Sequence, residues 1–421
     1  MARDIPRLTS AQAAARLHIK LETLYAYVSR GLIVSERDDD GGSTFDPLDV
    51  EAFAASRHRD AARIEGTRAR LGRPVMVLDS DLAVIESDEL YFRGVPAREL
   101  ARRLTFEEGA EFLWSVHASR DDLDDQFLSR REVVSAVRRA SRSLGPSAHI
   151  VDRLSLSVMM CGSWDPVRDA VGPSAVRGAG RQMIATMVDS LDDRGKTPHL
   201  TASVAERLWP KLSSKVPSTE GIRLLNATMV LCLEHDLAIS TMAARVAASA
   251  RTSPSAAVAA ALSSFDSDHH GAASIAASAL IDETIQTGNA ERALARQVSA
   301  TSTIPGFGHL IYQHEDPRAR FLLDAMRSLE GFGAAGAAAD RLIAVVSART
   351  PRPVNLDLAL AVLVVGGGMS RDAGELIFAV SRTAGWIAHI IDEYARPPLR
   401  LRPESRYTGA RHTSRERSGP A

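Results

Sequence analysis

Residues 381–389 of this chain read Ser381-Arg382-Thr383-Ala384-Gly385-Trp386-Ile387-Ala388-His389. The stretch predicts a helix that is apolar apart from Arg382. A buried guanidinium needs an anionic partner, and a carboxylate fits its fork of donors. The partner is either a bound carboxylate or an acid of the same chain, such as Asp392 or Glu393.

The composition of the chain favours a mainly α fold. Of its 421 residues, 45% are hydrophobic but only 5% are aromatic, and Ala is abundant. Helix-forming residues are therefore plentiful and strand-forming aromatics are scarce. The pattern is helical from Ala97 almost to the end, whereas residues 74–92 alternate weakly and predict one or two short strands.

Bulk properties argue against several classes of protein. The net charge of −1 gives no overall basic field for nucleic acid or an anionic membrane. Apolar runs fall short of the ~18–20 residues that span a bilayer, and no signal sequence is recognisable. Cys161 and Cys232 are too few for a disulfide framework and are predicted to be buried apolar residues. We therefore expect a cytoplasmic protein that does not enter the membrane.

Residues 1–56 predict a small winged helix-turn-helix-like domain. Thr9 and Gln12 have the spacing of a capping box that begins a first helix. Asp46 is placed to cap a later helix that begins at Pro47. A linker helix is predicted at residues 57–73 and a disordered tail at residues 411–421. The main body of the chain lies between them, at residues 74–410.

Two segments present a histidine at a bend or at a helix start. His270 follows His269 and precedes small residues, so the positive end of a helix dipole would keep its imidazole neutral. His309 ends a loop at residues 304–309, in which one proline and two glycines oppose helix formation. A neutral imidazole can donate a hydrogen bond to an enol or enolate oxygen without protonating it outright.

Two further charged groups lie near predicted helix starts. Asp316 is placed to cap a helix that begins at Pro317, and Arg318 points from its first turn. Asp357 follows the prolines of residues 351–353 and lies next to an apolar stretch. Partial burial would raise the pKa of this carboxyl and suit it to act as a base.

Each of these residues also has a structural explanation when it is taken alone. A lone histidine in an apolar stretch is most often a hydrogen-bonded structural residue, and Asp357 would serve as a helix cap. Residues 366–368 are three glycines without the spacing of a phosphate-binding loop, and they predict a helix end. No His or Cys spacing predicts a metal site.

Taken together and in this order, the segments resemble the citrate synthase family over roughly residues 74–410. Residues 382–389 match the family string RTAGWIAH outright. The other segments that resemble family motifs are residues 90–94 with 105–108, 270–273, 305–309, 316–319, 355–357, and 402–403 with 407–409.

The resemblance implies large and small helical domains, the small one at roughly residues 225–330, and the condensation of an acyl-CoA thioester with oxaloacetate. Asp357 would take a proton from the acyl group, His270 would stabilise the enolate, and His309 would polarise the ketone. The residues implied to bind oxaloacetate are His235, Arg318, Arg382 and Arg402. The resemblance implies no metal or other cofactor, because the CoA thioester is itself a substrate.

Arg402 would act from the neighbouring subunit, so the resemblance also implies a homodimer. Several positions depart from the family pattern, among them residues 267–272, which stand in place of the family string GPLHGG. Leu310 and Gln313 stand where the family carries basic residues near CoA, and Cys232 replaces the first histidine of a motif whose second histidine is His235.

The N-terminal domain resembles MerR- or excisionase-type helix-turn-helix modules, with residues 21–30 as the recognition helix. Its basic residues there are only Lys20 and Arg30, and the wing at residues 37–42 is acidic. DNA binding and a structural or protein-interaction role therefore both stay open. Three functions remain: a citrate synthase, a 2-methylcitrate synthase that uses propionyl-CoA, or a non-catalytic, ligand-sensing transcription regulator.

Overall fold

The computed structural model describes residues 5–38, 41–65, 77–114, 126–267, 273–301 and 303–409. Within these ranges the chain is mainly helical, as its composition predicts. The strands are β1 (Leu8–Thr9), β2 (Glu36–Arg37), β3 (Ser43–Phe45), β4 (Ala83–Glu86), β5 (Glu89–Phe92) and β6 (Val95–Pro96). The helices are α1 (Ser10–Arg16), α2 (Leu21–Ser29), α3 (Pro47–Glu65), α4 (Ala97–Arg103), α5 (Phe106–Trp114), α6 (Arg131–Ser141), α7 (Ile150–Ser163), α8 (Pro173–Asp189), α9 (Val204–Leu212), α10 (Thr219–Leu231), α11 (Ile239–Ser249), α12 (Pro254–Phe265), α13 (Ala273–Thr287), α14 (Ala290–Thr301), α15 (Pro317–Met326), α16 (Gly333–Arg349), α17 (Leu356–Gly366) and α18 (Ala373–Tyr394).

Elements β1 to α3 form an N-terminal unit. Its strands make a small antiparallel sheet in the order β1-β3-β2, with Leu8 opposite Phe45. Helix α1 begins with the predicted capping box, in which Gln12 N donates to the Thr9 hydroxyl at 3.3 Å and Thr9 N donates to the Gln12 side chain at 2.9 Å. The unit has its own hydrophobic core of Leu8, Ala13, Ala14, Leu17, Leu24, Ile33, Phe45 and Val50.

Helix α3 connects the N-terminal unit to the main body. Asp46 caps it as predicted, since its carboxylate accepts a hydrogen bond from Leu48 N at 2.8 Å. The helix runs without a break from Pro47 to Glu65 and so extends into the segment expected to be a linker helix. Leu48 is buried in the core of the main body, where α3 packs against α14 and α16.

A second antiparallel sheet lies at the start of the main body. Ala83 on β4 is opposite Phe92 on β5, and β6 pairs with the other edge of β5. The prediction of one or two strands in residues 74–92 is therefore confirmed by β4 and β5, and β6 lies just beyond that range. Pro96 fits this edge because a proline cannot donate to a further strand.

Helices α17 and α18 occupy the centre of the main body. Both are buried along most of their length, and a helix that is buried on all faces must be surrounded by other elements. Gly385 lets α18 approach the connection after α10, because a methyl group there would collide with the carbonyl oxygen of Leu233. Helix α17 ends at Gly366, as the three glycines predict.

Cys161 and Cys232 are buried free thiols, as predicted. No helix in the described ranges combines the length and the apolar character that crossing a bilayer requires.

Candidate active site

Five of the seven site residues predicted from the sequence line one cavity in the main body. The cavity has a volume of about 590 Å³, and these residues are His235, His309, Arg318, Asp357 and Arg382. They come from four places in the chain: the connection between α10 and α11, the loop before α15 with its first turn, the start of α17 and the middle of α18.

The other two predicted residues are His270 and Arg402. His270 lies outside the described residues, although Ser267 and Ala273, on either side of that segment, both line the cavity. Arg402 is exposed in the segment after α18 and is not among the residues that line the cavity.

His309 is held as a neutral imidazole with a defined tautomer. Its Nδ1 atom accepts hydrogen bonds from the backbone amides of Ile311 at 3.0 Å and Tyr312 at 3.2 Å. Nδ1 is therefore unprotonated and the ring proton is on Nε2. Burial, with a further contribution from the Arg318 guanidinium, lowers the pKa of His309 to about 4. At neutral pH its Nε2–H group is thus an uncharged donor.

His235 lies against His309, with the two rings in a T-shaped contact and their centroids 5.1 Å apart. Its Nε2 atom is 3.1 Å from the hydroxyl oxygen of Tyr312. Burial lowers the pKa of His235 well below its usual value, and Arg318 and Arg382 add to the effect. The imidazoles of His235 and His309 are therefore both neutral.

Asp316 fixes the direction of the Arg318 side chain. The guanidinium Nε donates to one carboxylate oxygen at 3.0 Å and Nη2 donates to the other at 2.8 Å. Asp316 also accepts the amide hydrogen of Arg318 at 3.0 Å and that of Leu356 at 3.1 Å. It is the predicted helix cap, and it additionally connects the start of α15 to the start of α17.

Arg382 is almost completely buried, with 1% of its surface exposed. Its Nε donates to the carbonyl oxygen of Cys232 at 2.9 Å, and its Nη2 has no hydrogen-bond partner among the described residues. The two acids considered as internal partners, Asp392 and Glu393, pair instead with Arg245 at 2.6 and 2.8 Å. An anion in the cavity would complete the hydrogen bonding of Arg382.

Asp357 lies in the first turn of α17 and is not the cap of that helix. The cap is Asn355, whose side-chain oxygen accepts the amide hydrogen of Asp357 at 3.0 Å. Burial raises the pKa of the Asp357 carboxyl to about 6, against the opposing effect of Arg318. At neutral pH the carboxylate is ionised but more basic than an ordinary aspartate, which suits proton abstraction.

The sequence did not single out Tyr312, which is 2% exposed. Its hydroxyl contacts His235, its ring centroid is 4.6 Å from that of His309, and the Arg318 guanidinium lies 5.6 Å from its centroid. Tyr312 follows Leu310 and Ile311 in the same loop, so the local sequence does not distinguish it as a site residue.

The cavity thus brings together one basic carboxylate, neutral imidazoles and two buried guanidinium groups. A carboxylate base beside a neutral donor can remove a proton from a carbon next to a carbonyl group. Two guanidinium groups can bind a dicarboxylate in the same cavity.

Comparisons with known proteins find a matching family and named relatives. The family model described as "Citrate synthase, C-terminal domain" matches residues 71–404. A citrate synthase of Mycolicibacterium smegmatis is 28% identical over 373 residues, which cover 83% of this chain and 97% of that protein. A 2-methylcitrate synthase of Mycobacterium tuberculosis is 27% identical over 348 residues, which cover 77% of this chain and 86% of that protein.

Solved structures of citrate synthases share the fold. The enzyme from Thermotoga maritima aligns with a TM-score of 0.65 at 24% identity, over 82% of this chain and 97% of its own. The enzyme from Thermoplasma acidophilum, in a ternary complex with carboxymethyl coenzyme A and oxaloacetate, aligns with a TM-score of 0.65 at 20% identity, over 80% and 95%. From the family match, the chain belongs to the citrate synthase family.

Proposed function

We propose that this chain is a citrate synthase, which condenses acetyl-CoA with oxaloacetate and hydrolyses the citryl thioester to citrate and free CoA. The observation that carries the proposal is the single cavity lined by Asp357, His309, His235, Arg318 and Arg382. A base, a neutral donor and cations for a dicarboxylate are what an enolisation followed by carbon–carbon bond formation requires.

Asp357 acts on the acetyl thioester. It takes a proton from the methyl carbon, and the electron pair of that C–H bond moves toward the thioester oxygen to form an enolate. A pKa of about 6 supports this role because the carboxylate is ionised at neutral pH. His270, outside the described residues, donates a hydrogen bond to the enolate oxygen.

His309 acts on oxaloacetate. Its Nε2–H group donates to the ketone oxygen, the enolate carbon attacks the ketone carbon, and the resulting alkoxide takes up a proton. His235 contacts the same substrate from the adjacent ring, while Arg318 and Arg382 bind its carboxylates. Water then attacks the thioester carbonyl and the CoA thiol leaves.

Assembly and domain closure complete the site. The small helical domain, at roughly residues 225–330, closes over the large domain and excludes water before the carbon–carbon bond forms. Arg402 binds oxaloacetate in the neighbouring subunit of a homodimer, which is consistent with its exposure in the single chain. The two free thiols support a reducing, cytoplasmic setting.

Similarity to 2-methylcitrate synthases favours a second candidate, in which propionyl-CoA replaces acetyl-CoA. The two thioesters differ by one methylene group, and a pocket discriminates such a difference by only about 1–3 kcal/mol. The ratio of the rates measured with acetyl-CoA and with propionyl-CoA therefore decides between the two candidates.

The N-terminal unit is, in this proposal, a winged helix-turn-helix-like module with a structural or protein-interaction role. Helix α2, which would face DNA, exposes Leu21 and Tyr25, at 42% and 49% of their surface. DNA binding requires positively charged side chains that contact the phosphates, and Leu21 and Tyr25 do not supply such charges. The alternative is that the whole chain is a non-catalytic, ligand-sensing transcription regulator.

A free-thiol assay tests the proposal. The chain is given acetyl-CoA or propionyl-CoA, each with and without oxaloacetate, and Asp357→Asn is the matched control for a contaminating synthase. Thiol release that depends on oxaloacetate supports the synthase, and the ratio of kcat/KM values assigns the acyl group. Absence of such release, together with salt-sensitive retention of DNA, would instead support the regulator.

A further inference from the structure

The N-terminal unit contacts the segment that leads to the proposed base. Arg349, at the end of α16, pairs with Asp46 at 3.0 Å. Arg352, three residues further on, pairs with Glu51 at 3.3 Å. Both acids lie at the start of α3, before residue 71, where the family match begins. These contacts therefore come from a part of the chain outside the match to the family.

Glu51 is a buried ion-pair partner, with 5% of its surface exposed. One carboxylate oxygen lies 3.3 Å from Nε of Arg16 in α1, and the other accepts a hydrogen bond from Nη2 of Arg352 at 3.3 Å. A buried carboxylate between two guanidinium groups cannot move without leaving charges unpaired. Glu51 thus connects the N-terminal unit to Arg352.

Arg352 lies in a stiff part of the chain. Pro351 and Pro353 flank it, and each proline ring restricts the backbone φ angle. The carbonyl oxygen of Pro353 accepts the amide hydrogen of Gly308 at 2.7 Å. The Arg352 side chain also covers Gly308, since a Cβ atom there would lie 3.9 Å from its Cδ. A displacement of Arg352 would therefore also move Gly308, the residue that precedes His309.

Asn355 extends the same connection to the base. Its amide donates to the carbonyl oxygen of Gly306 at 3.0 Å, and its side-chain amide donates to that of Gly308 at 3.0 Å. Asp357 follows two residues later. Short, hydrogen-bonded backbone therefore joins Arg352 to both His309 and Asp357.

We propose that Glu51 is a positioning residue for the synthase reaction. It acts through Arg352 to hold the loop at residues 304–309, which ends at His309, against the start of α17. The inference rests on the proposed function. It gives the N-terminal unit a role in catalysis that requires no DNA. The rate depends on it because a small displacement of reacting groups lowers kcat strongly.

Steady-state kinetics of Glu51→Gln, Arg352→Gln and the double variant test the proposal. The matched control is Glu36→Gln, which removes a carboxylate of the same unit that pairs with Arg7 at 3.1 Å and does not contact this segment. We expect each single variant to lower kcat by about tenfold, with a much smaller change in the KM for oxaloacetate. The double variant should lose no more than either single variant, because both interrupt one connection.

Hydrogen exchange at the Gly308 amide gives a readout that does not depend on turnover. We expect faster exchange in Glu51→Gln and Arg352→Gln and no change in Glu36→Gln.

If the wild type releases no thiol, the proposed function fails, and exchange alone then decides whether Glu51 holds the loop. If Glu51→Gln does not fold, Arg352→Gln, which leaves the Glu51–Arg16 pair in place, decides instead. The proposal would be overturned if kcat and the exchange rate of the Gly308 amide in these variants equalled those of the wild type. It would also be overturned if the losses of kcat in the two single variants added up in the double variant.

Discussion

Asn355 donates a hydrogen bond from its side-chain amide to the carbonyl oxygen of Gly308 at 3.0 Å. Its side-chain oxygen accepts the amide hydrogen of Asp357 at 3.0 Å. One residue therefore begins the helix that carries the proposed base and holds the loop that ends at His309. Because of this connection, the carboxylate and the imidazole keep a common geometry although they are far apart in the sequence.

Replacing Asp357 by Asn tests the proposed base. The amide keeps the shape of the side chain but cannot accept a proton, so we expect turnover to fall by about 10²–10⁴-fold. The melting temperature should not decrease, because burial already disfavours the charged carboxylate at neutral pH. Thiol release and thermal unfolding measure the two effects. Asp324→Asn, at an exposed carboxylate on α15, is the control, and equal rates for both variants would refute the assignment.

The pH dependence of kcat/KM provides a second test of the base. Asp357 must be deprotonated to accept a proton, and its pKa is about 6. We therefore expect kcat/KM to rise with pH through about 6 and then to level off. His309 has a pKa of about 4, so it stays neutral and adds no inflection over this range. A profile that is flat between about pH 5 and 7 would contradict a base with this pKa.

Local signals in the sequence predicted local structure well. The capping box at Thr9 and Gln12 and the helix caps at Asp46 and Asp316 all form as predicted. Each depends on neighbours only two or three positions away, which a sequence displays directly. The sequence also identified five of the residues that line the cavity, because the ordered motifs of a family carry information that no single spacing contains.

Contacts between distant segments were not predictable in the same way. Glu51 and Arg352 are 301 positions apart, and nothing in their local pattern distinguishes them from solvent-exposed charges. Tyr312 was missed because one aromatic residue in a loop has no periodicity that indicates burial. The pairing of Asp392 and Glu393 with Arg245, rather than with Arg382, was also hidden, since both arginines lie on helices rich in apolar residues.

A second buried carboxyl predicts a pH-dependent stability. Glu375, in the first turn of α18, is 5% exposed. Burial, with further contributions from Asp266 and Asp372, raises its pKa to about 7 from a usual value of 4.5. The folded state therefore binds a proton more tightly than the unfolded state. The unfolding free energy contributed by this group falls as pH rises from about 4.5 to 7.

Replacing Glu375 by Gln removes that penalty. We expect the variant to be more stable than the wild type by about 1–3 kcal/mol at pH 8 and equally stable near pH 4.5. Urea unfolding at both pH values measures the difference. Glu404→Gln, at an exposed position, is the control. A stability gain of the same size at both pH values would show that ionisation of Glu375 is not its cause.

Mixing two inactive variants tests whether Arg402 serves the neighbouring subunit. Asp357→Asn and Arg402→Gln should each be inactive or nearly so as homodimers. In a mixed dimer, the site that keeps Asp357 would receive an intact Arg402 from the other subunit, while the second site would lack both groups. Random exchange makes half of the dimers mixed, so about a quarter of all sites should be intact and activity should return to about that fraction of the wild type. Unfolding and refolding the two variants together, followed by the free-thiol assay, measures this recovery. If Arg402 serves its own subunit, no mixed dimer contains an intact site, and the mixture stays as inactive as its components.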